Sequence, residues 1–290
     1  MRKFVLFLVP VLAAIAFAPI AAQQPVKEHV ALPNKEGSFK FTVLGNSGTG
    51  EQAQYQLAEQ MAIFHMRFKF DHVLLTGGNI AGSERPQDYM KKFELPYKPL
   101  LDAGVKFHAS LGADDDPHQS HYKLFNMDGK KYYTFSPTPD ISFFALDTNS
   151  LVPEQTQWLE QQLQGSKANW KIALFHHPMY SSGNRPESQS DLRNMLEPLL
   201  VKYNVAVVLS GQGGFYERLQ PQKGIAYFVV GSGGQLKPGS LDKSSGITGK
   251  GFDSDQAFLA AEIIGDEMYF MAISREGKIV DAGVVRRRPE

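Results

Sequence analysis

The chain is punctuated by a recurring unit, a short apolar run that ends in glycine and polar residues. Residues 39–45 (FKFTVLG) lead into Asn46-Ser47-Gly48, residues 72–77 (HVLLTG) into Gly78-Asn79, and residues 105–112 (VKFHASLG) into Ala113-Asp114. Runs of this length and composition predict buried strands. Between the first two, Leu57, Met61, Phe64 and Phe68 recur at helical spacing within residues 51–70, and helical segments are expected within 88–103. Strand, helix, strand, helix, strand is the plan of an α/β domain. Its ligands usually sit where loops leave the carboxyl ends of the strands.

The pattern continues with strand-like runs at 131–135, 141–147, 170–175 and 205–210, and with helices expected at about 153–163 and 191–203. Pro153 suits a first helical turn, where its missing N–H removes no intrahelical bond. From Ile225 onward the reading is mainly β, at 225–230, 257–264, 268–273 and 279–284, with turns at Gly265-Asp266 and Gly277. No internal repeat and no long polar linker interrupts this order. A polar connector, 23–38, therefore precedes one mixed α/β domain at 39–290.

Composition narrows the function. With 290 residues and 42% apolar content the chain can bury a sizeable core, and 30 basic against 30 acidic residues provide no global field for nucleic acid. Zero cysteines exclude a disulfide framework, a thiol nucleophile, thiolate zinc sites and lipid attachment to a cysteine. Arg2 and Lys3 precede the uncharged run 4–22 (FVLFLVPVLAAIAFAPIAA), which has the charged, apolar and small-residue order of a secretory signal with cleavage after Ala22. The other reading of this run is a retained membrane anchor. Pro10, Pro19 and the terminal alanines favour cleavage, and with it an exported, periplasmic or secreted protein without stable membrane insertion.

Taken singly, the polar strand exits are ambiguous. Residues 45–50 (GNSGTG) lack both the dinucleotide glycine phasing and the Gly-Lys-Ser/Thr ending of a phosphate loop, so a tight turn is the simpler reading. Asp114-Asp115-Asp116 is either a cation site or a solvated turn. His118 and His121 share a face only if their segment is helical, and a surface role is favoured. His176-His177-Pro178 follows a strand and places at least one imidazole at its end, as a metal ligand, an acid or base, or a packed side chain. Asp147-Thr148-Asn149-Ser150 either caps the helix near Pro153 or borders the rim. There is no Gly-x-Ser-x-Gly elbow.

Together these exits resemble the calcineurin-like metallophosphoesterases, and most closely their purple-acid-phosphatase-like branch, over about residues 39–284. The resemblance implies a four-layer αββα sandwich with two mixed β-sheets and two metal ions, iron, zinc or manganese, on loops at one edge. The family blocks read GD, GDN, GNHD, HHP or HxP, and GHxH. Here Asn46 stands at the first aspartate ligand, Gly78 at the bridging aspartate, and Ala81 at the branch's tyrosine ligand. Ala113 stands at the asparagine ligand, Asp114 at the histidine that assists the leaving group, and Gln212 and Gly214 at two histidine ligands, while His176 is retained.

Those replacements imply a phosphoesterase fold without a tightly bound dimetal centre and without ordinary phosphomonoesterase activity, retained for binding or another noncatalytic task. The small residues Gly78, Ala113 and Gly214 are expected to open the rim. Two other readings stay open. One is a divergent hydrolase with a rebuilt one-metal site from Asp114, Asp115, His176 and His177; the other is a structural secreted module. The expected partner is a small anionic ligand, with Arg185 or Arg218 on its side of the site, or another protein.

Overall fold

The fold comes from a computed structural model that describes residues 31–183, 186–242 and 244–288. The expected signal segment, the first half of the polar connector (23–30) and Arg185 lie outside the described residues. Among the described residues no helix is long and apolar enough to cross a membrane.

The first half follows the expected alternation. Strand β1 (Phe39–Leu44) leads to α1 (Gln52–Arg67), β2 (His72–Thr76), a short α2 (Pro86–Tyr89) that continues into a π-helical turn, α3 (Lys98–Asp102) and β3 (Lys106–Ser110). Next come β4 (Tyr133–Thr138), β5 (Ile141–Ala145), α4 (Pro153–Gly165), β6 (Trp170–Phe175), α5 (Pro186–Lys202) and β7 (Val207–Ser210). The remainder is β8 (Tyr216–Leu219), β9 (Ala226–Val230), β10 (Thr248–Phe252), β11 (Ala257–Ile264), β12 (Glu267–Ser274) and β13 (Ile279–Arg286). Pro153 opens α4 as its composition predicts. The fifth helix starts earlier than its apolar pattern indicated.

The strands form two mixed sheets, ordered β13-β12-β11-β1-β2-β3 and β10-β8-β9-β7-β6-β5-β4. Within them β1, β2 and β3 run parallel, as do β5, β6, β7 and β9, while the flanking strands are antiparallel. Period-two alternation divides the second sheet between two cores. Phe143, Ile172, Leu174, Val207, Leu209 and Phe228 join the core shared with the first sheet, whereas Phe144, Ala173, Phe175, Val208 and Val229 join Leu159, Leu163, Leu196 and Leu200 of α4 and α5. Across the sheets Phe41 meets Phe143 edge-on at 5.5 Å and Phe228 meets Phe270 at 5.0 Å, distances at which aromatic pairs add to area burial. Leu57 and Met61 of α1 are fully buried on the outer side of the first sheet's core. The layers are therefore helix, sheet, sheet and helix.

This architecture brings the carboxyl ends of β1, β2 and β3 to the same edge as those of β6, β7 and β9. Strands β8 and β10 were absent from the sequence reading. In β8 the buried face carries Glu217, which is fully buried, and β10 contains Gly249 and Gly251, so neither has the apolar signature of a strand.

Candidate functional site

Close backbone packing builds the rim. Gly45 has no room for a Cβ, which would lie 2.5 Å from Thr76 Oγ1 and 2.6 Å from the Val230 carbonyl. The chain then turns through Asn46 at φ 50°, a left-handed conformation that asparagine tolerates better than most residues. Its backbone N–H donates to the Gly77 carbonyl at 2.8 Å. Its side-chain amide donates to the carbonyls of Gly211 at 2.9 Å and Gly231 at 3.0 Å, so one residue ties together the exits of β1, β2, β7 and β9. An aspartate held in this pose would present a carboxylate to two carbonyl oxygens. Asn46 therefore serves as a donor clamp here, and only its Oδ1 is left as an acceptor.

Asp115 organises the exits of β2 and β3. Although it belongs to a run of three aspartates, it is buried, and its carboxylate accepts from the backbone N–H groups of Gly78, Asn79, Ile80 and Gly112 and from Gln119 Nε2. This corrects the expectation of a solvated triplet or a cation ligand, because the oxygens are consumed by the loop they shape. The flanking aspartates do remain exposed. Asp116 caps the turn Pro117–His121 and pairs with His118, whose contacts are local, as its surface reading implied.

His176, at the end of β6, is 4% exposed, and its Nδ1 lies 2.9 Å from the Thr76 carbonyl. A carbonyl only accepts, so Nδ1 carries the proton and Nε2 is the acceptor that remains. Burial lowers the imidazole's pKa below the ordinary value, against the raising influence of the Thr76 carbonyl and the Asp114 carboxylate. His177 turns to Thr148, whose hydroxyl lies 2.9 Å from its Nδ1. Asp147 accepts from Asn149 N–H, and Gln155 rather than Asp147 bridges this exit to α4.

A cavity of about 280 Å3 opens at this edge. Asn46, Ala113, Asp114, His176 and Gln212 line it from the strand exits, and Ser181, Phe215, Gln235, Lys237 and Ser240 line it from later loops. Of these, Gln235, Lys237 and Ser240 were not singled out in the sequence, although the glycine cluster Gly231, Gly233 and Gly234 after β9 repeats the strand-exit signal and could have pointed to them. Buried Glu217 holds the Ser181 hydroxyl and the Ser182 N–H beneath the cavity.

The small residues do not simply widen the rim. A Cβ on Gly78, at φ 69°, would collide with Asn46 Oδ1. At Gly214, at φ 72°, a Cβ would meet the Lys237 stem at 2.9 Å, and the Lys237 N–H donates to the Gly214 carbonyl at 2.8 Å. The space beside these two glycines is thus taken by an asparagine and a lysine. Ala81 takes part through its backbone alone, its N–H donating to the Gly48 carbonyl and its carbonyl accepting from Lys92 Nζ.

Two other expectations fail on geometry. Asp114, Asp115, His176 and His177 do not assemble as a metal-ligating set, and among the described residues no group of three or more His, Asp or Glu side chains is placed to hold a metal ion. Arg218 is not on the substrate side. It pairs with Asp281 at 2.7 Å and lies over Phe270, with Tyr216 donating to the same carboxylate, and so ties β8 to β13.

Residues 39–211 match the calcineurin-like phosphoesterase family, more than half of the chain. The chain belongs to that family. It is 27% identical over 141 residues to the tartrate-resistant acid phosphatase type 5 of Mus musculus, a match covering 47% of this chain and 43% of the enzyme, so it spans less than half of that relative's length. Among solved structures it resembles GAP50, described as the anchor in the inner membrane complex of Plasmodium, with a TM-score of 0.75, 18% identity, and coverage of 87% of this chain and 90% of that one. It also resembles the purple acid phosphatase PPD1 from yellow lupin (Lupinus luteus) seeds, with a TM-score of 0.70, 16% identity, and coverage of 88% and 55%. Among the described residues this family member has no recognisable metal-binding cluster. Its donor set does not fit two metal ions: Gly78, Ala113 and Gly214 have no side-chain donor, Asn46 faces carbonyls with its amide hydrogens, and Asp115 is spent on the backbone.

Proposed function

We propose that this protein is a binding member of the phosphoesterase family that keeps the rim cavity and has given up dimetal hydrolysis. The carrying observation is the Asn46 clamp. Where metal chemistry needs an anionic ligand, the chain places amide hydrogens against two carbonyl oxygens, an arrangement that stabilises the loops without a cation. The description of the Plasmodium structure as an anchor supports a noncatalytic use of this fold. Export belongs to the same proposal and rests on Arg2, Lys3 and the apolar run that follows.

The deciding experiment combines metal analysis after dialysis against zinc, manganese and iron with turnover of p-nitrophenyl phosphate in the same ions. The expected result is metal well below one ion per chain and turnover at background. Two ions per chain, with turnover abolished by His176→Ala, would overturn the proposal and restore a hydrolase.

A further inference from the structure

The cavity that replaces the metal centre holds two opposite, unspent charges. Asp114 and Lys237 both line it, both are exposed, and among the described residues neither the carboxylate nor the ammonium is engaged in an ion pair or side-chain hydrogen bond. Other strand-exit residues lining the same cavity contribute further acceptors. His176 has its proton on Nδ1, where Thr76 accepts it, so Nε2 presents a lone pair, and Asn46 spends its amide hydrogens on Gly211 and Gly231 and keeps Oδ1. A carboxylate with two neutral acceptors suits an ammonium, which has three N–H donors to place. It suits a bare metal ion poorly, because a single carboxylate and a single imidazole leave the ion underligated.

Lys237 supplies the other half. It comes from a different segment, anchored by its own N–H on Gly214, and among the described residues it is the lysine or arginine that lines this cavity. Gln212 and Gln235 add amide donors, and Phe215 and Pro178 add apolar wall. At about 280 Å3 the space lies at the small end of ligand pockets. A phosphate monoester would meet Lys237 but also the uncompensated Asp114 carboxylate, whereas a molecule with one ammonium and one carboxylate meets a complement for each.

We propose that the cavity binds a small zwitterion of the α-amino-acid type, its ammonium on Asp114, His176 Nε2 and Asn46 Oδ1 and its carboxylate on Lys237. This rests on the binding reading above and names the ligand class for the same site. The inherited cation position is thereby occupied by the ligand's own cationic group.

Calorimetry and thermal shift with L-leucine, L-phenylalanine and L-glutamine test it, against N-acetyl-L-leucine, which lacks the ammonium, L-leucinamide, which lacks the carboxylate, and inorganic phosphate. At least one free amino acid is expected to bind and to raise the melting temperature, with tenfold or greater weakening for the corresponding blocked derivatives and in each of Asp114→Asn and Lys237→Gln. Both replaced side chains are exposed, so the unliganded variants should melt with the wild type. Absence of binding by all three amino acids at millimolar concentration overturns the inference, as does equal binding of the blocked derivatives. Phosphate binding lost in Lys237→Gln, without amino-acid binding, also overturns it while leaving a binding protein. Metal-dependent ester turnover instead removes the underlying reading.

Discussion

Asp115 Oδ2 accepts the backbone N–H of Gly78 at 2.8 Å. Gly78 has no side chain, so at this point the loop is held by a carboxylate from a neighbouring strand exit and has none of its own. Anions at backbone N–H clusters form charge-assisted hydrogen bonds, stronger than neutral ones, and this cluster unites two exits of the first sheet.

Asp115→Ala should therefore destabilise the fold by at least about 3 kcal/mol, since several buried donors lose their acceptor together. Asp114→Ala, at an exposed position one residue earlier, should stay within about 0.5 kcal/mol of wild type. Urea denaturation of the two variants checks this contrast. Equal stabilities would show that Asp115 does not organise the loop.

A carboxylate placed at position 78 should harm the protein before it helps any chemistry. At φ 69° the Gly78 backbone disfavours a side chain, and the new Cβ collides with Asn46 Oδ1. Gly78→Ala and Gly78→Asp should each cost about 1–3 kcal/mol, with no gain in metal content. Melting curves and metal analysis of the two variants provide the measurement.

Stability should fall with acid through a histidine pair made of buried His108 and half-buried His72. His72 Nδ1 lies 3.1 Å from His108 Nε2, and His108 stacks on Phe135 at 3.8 Å. Burial lowers both pKa values, with neighbouring Lys106 acting in the same direction on each, and His108 falls to about 3. A base whose folded pKa lies below its unfolded value of 6.5 binds fewer protons when folded. This contribution is therefore present above about 6.5 and is lost as the pH falls towards 3. Urea midpoints at pH 7, 6, 5 and 4 should decline, and less steeply in His108→Leu.

Arg218→Ala should weaken the fold by about 3 kcal/mol, because it strands the buried Asp281 carboxylate beside Tyr216. Ligand affinity at the rim should not change. A variant that kept its stability but lost binding would return Arg218 to the site from which the structure removes it.

Export is checked by intact mass after expression in a secreting bacterium. The expected product begins near Gln23. Full-length protein held in the membrane would show that the run 4–22 is retained as an anchor.

Much of the architecture was legible because it is written locally. Short apolar runs ending in polar or glycine residues marked β1, β2, β3, β6 and β7, helical spacing marked α1, and the strand exits carrying Asn46, Gly78, Ala113, His176 and Gln212 marked one edge. These signals depend on neighbours in the chain. The fate of the vacated space depends on residues far apart, and only the tertiary structure decided it: Asn46 reaches carbonyls 165 and 185 residues away, Lys237 packs against Gly214, and Asp115 turns inward while Asp114 faces the cavity. Adjacent aspartates are chemically identical in a sequence. What separates them is which backbone N–H groups the fold brings within hydrogen-bond reach.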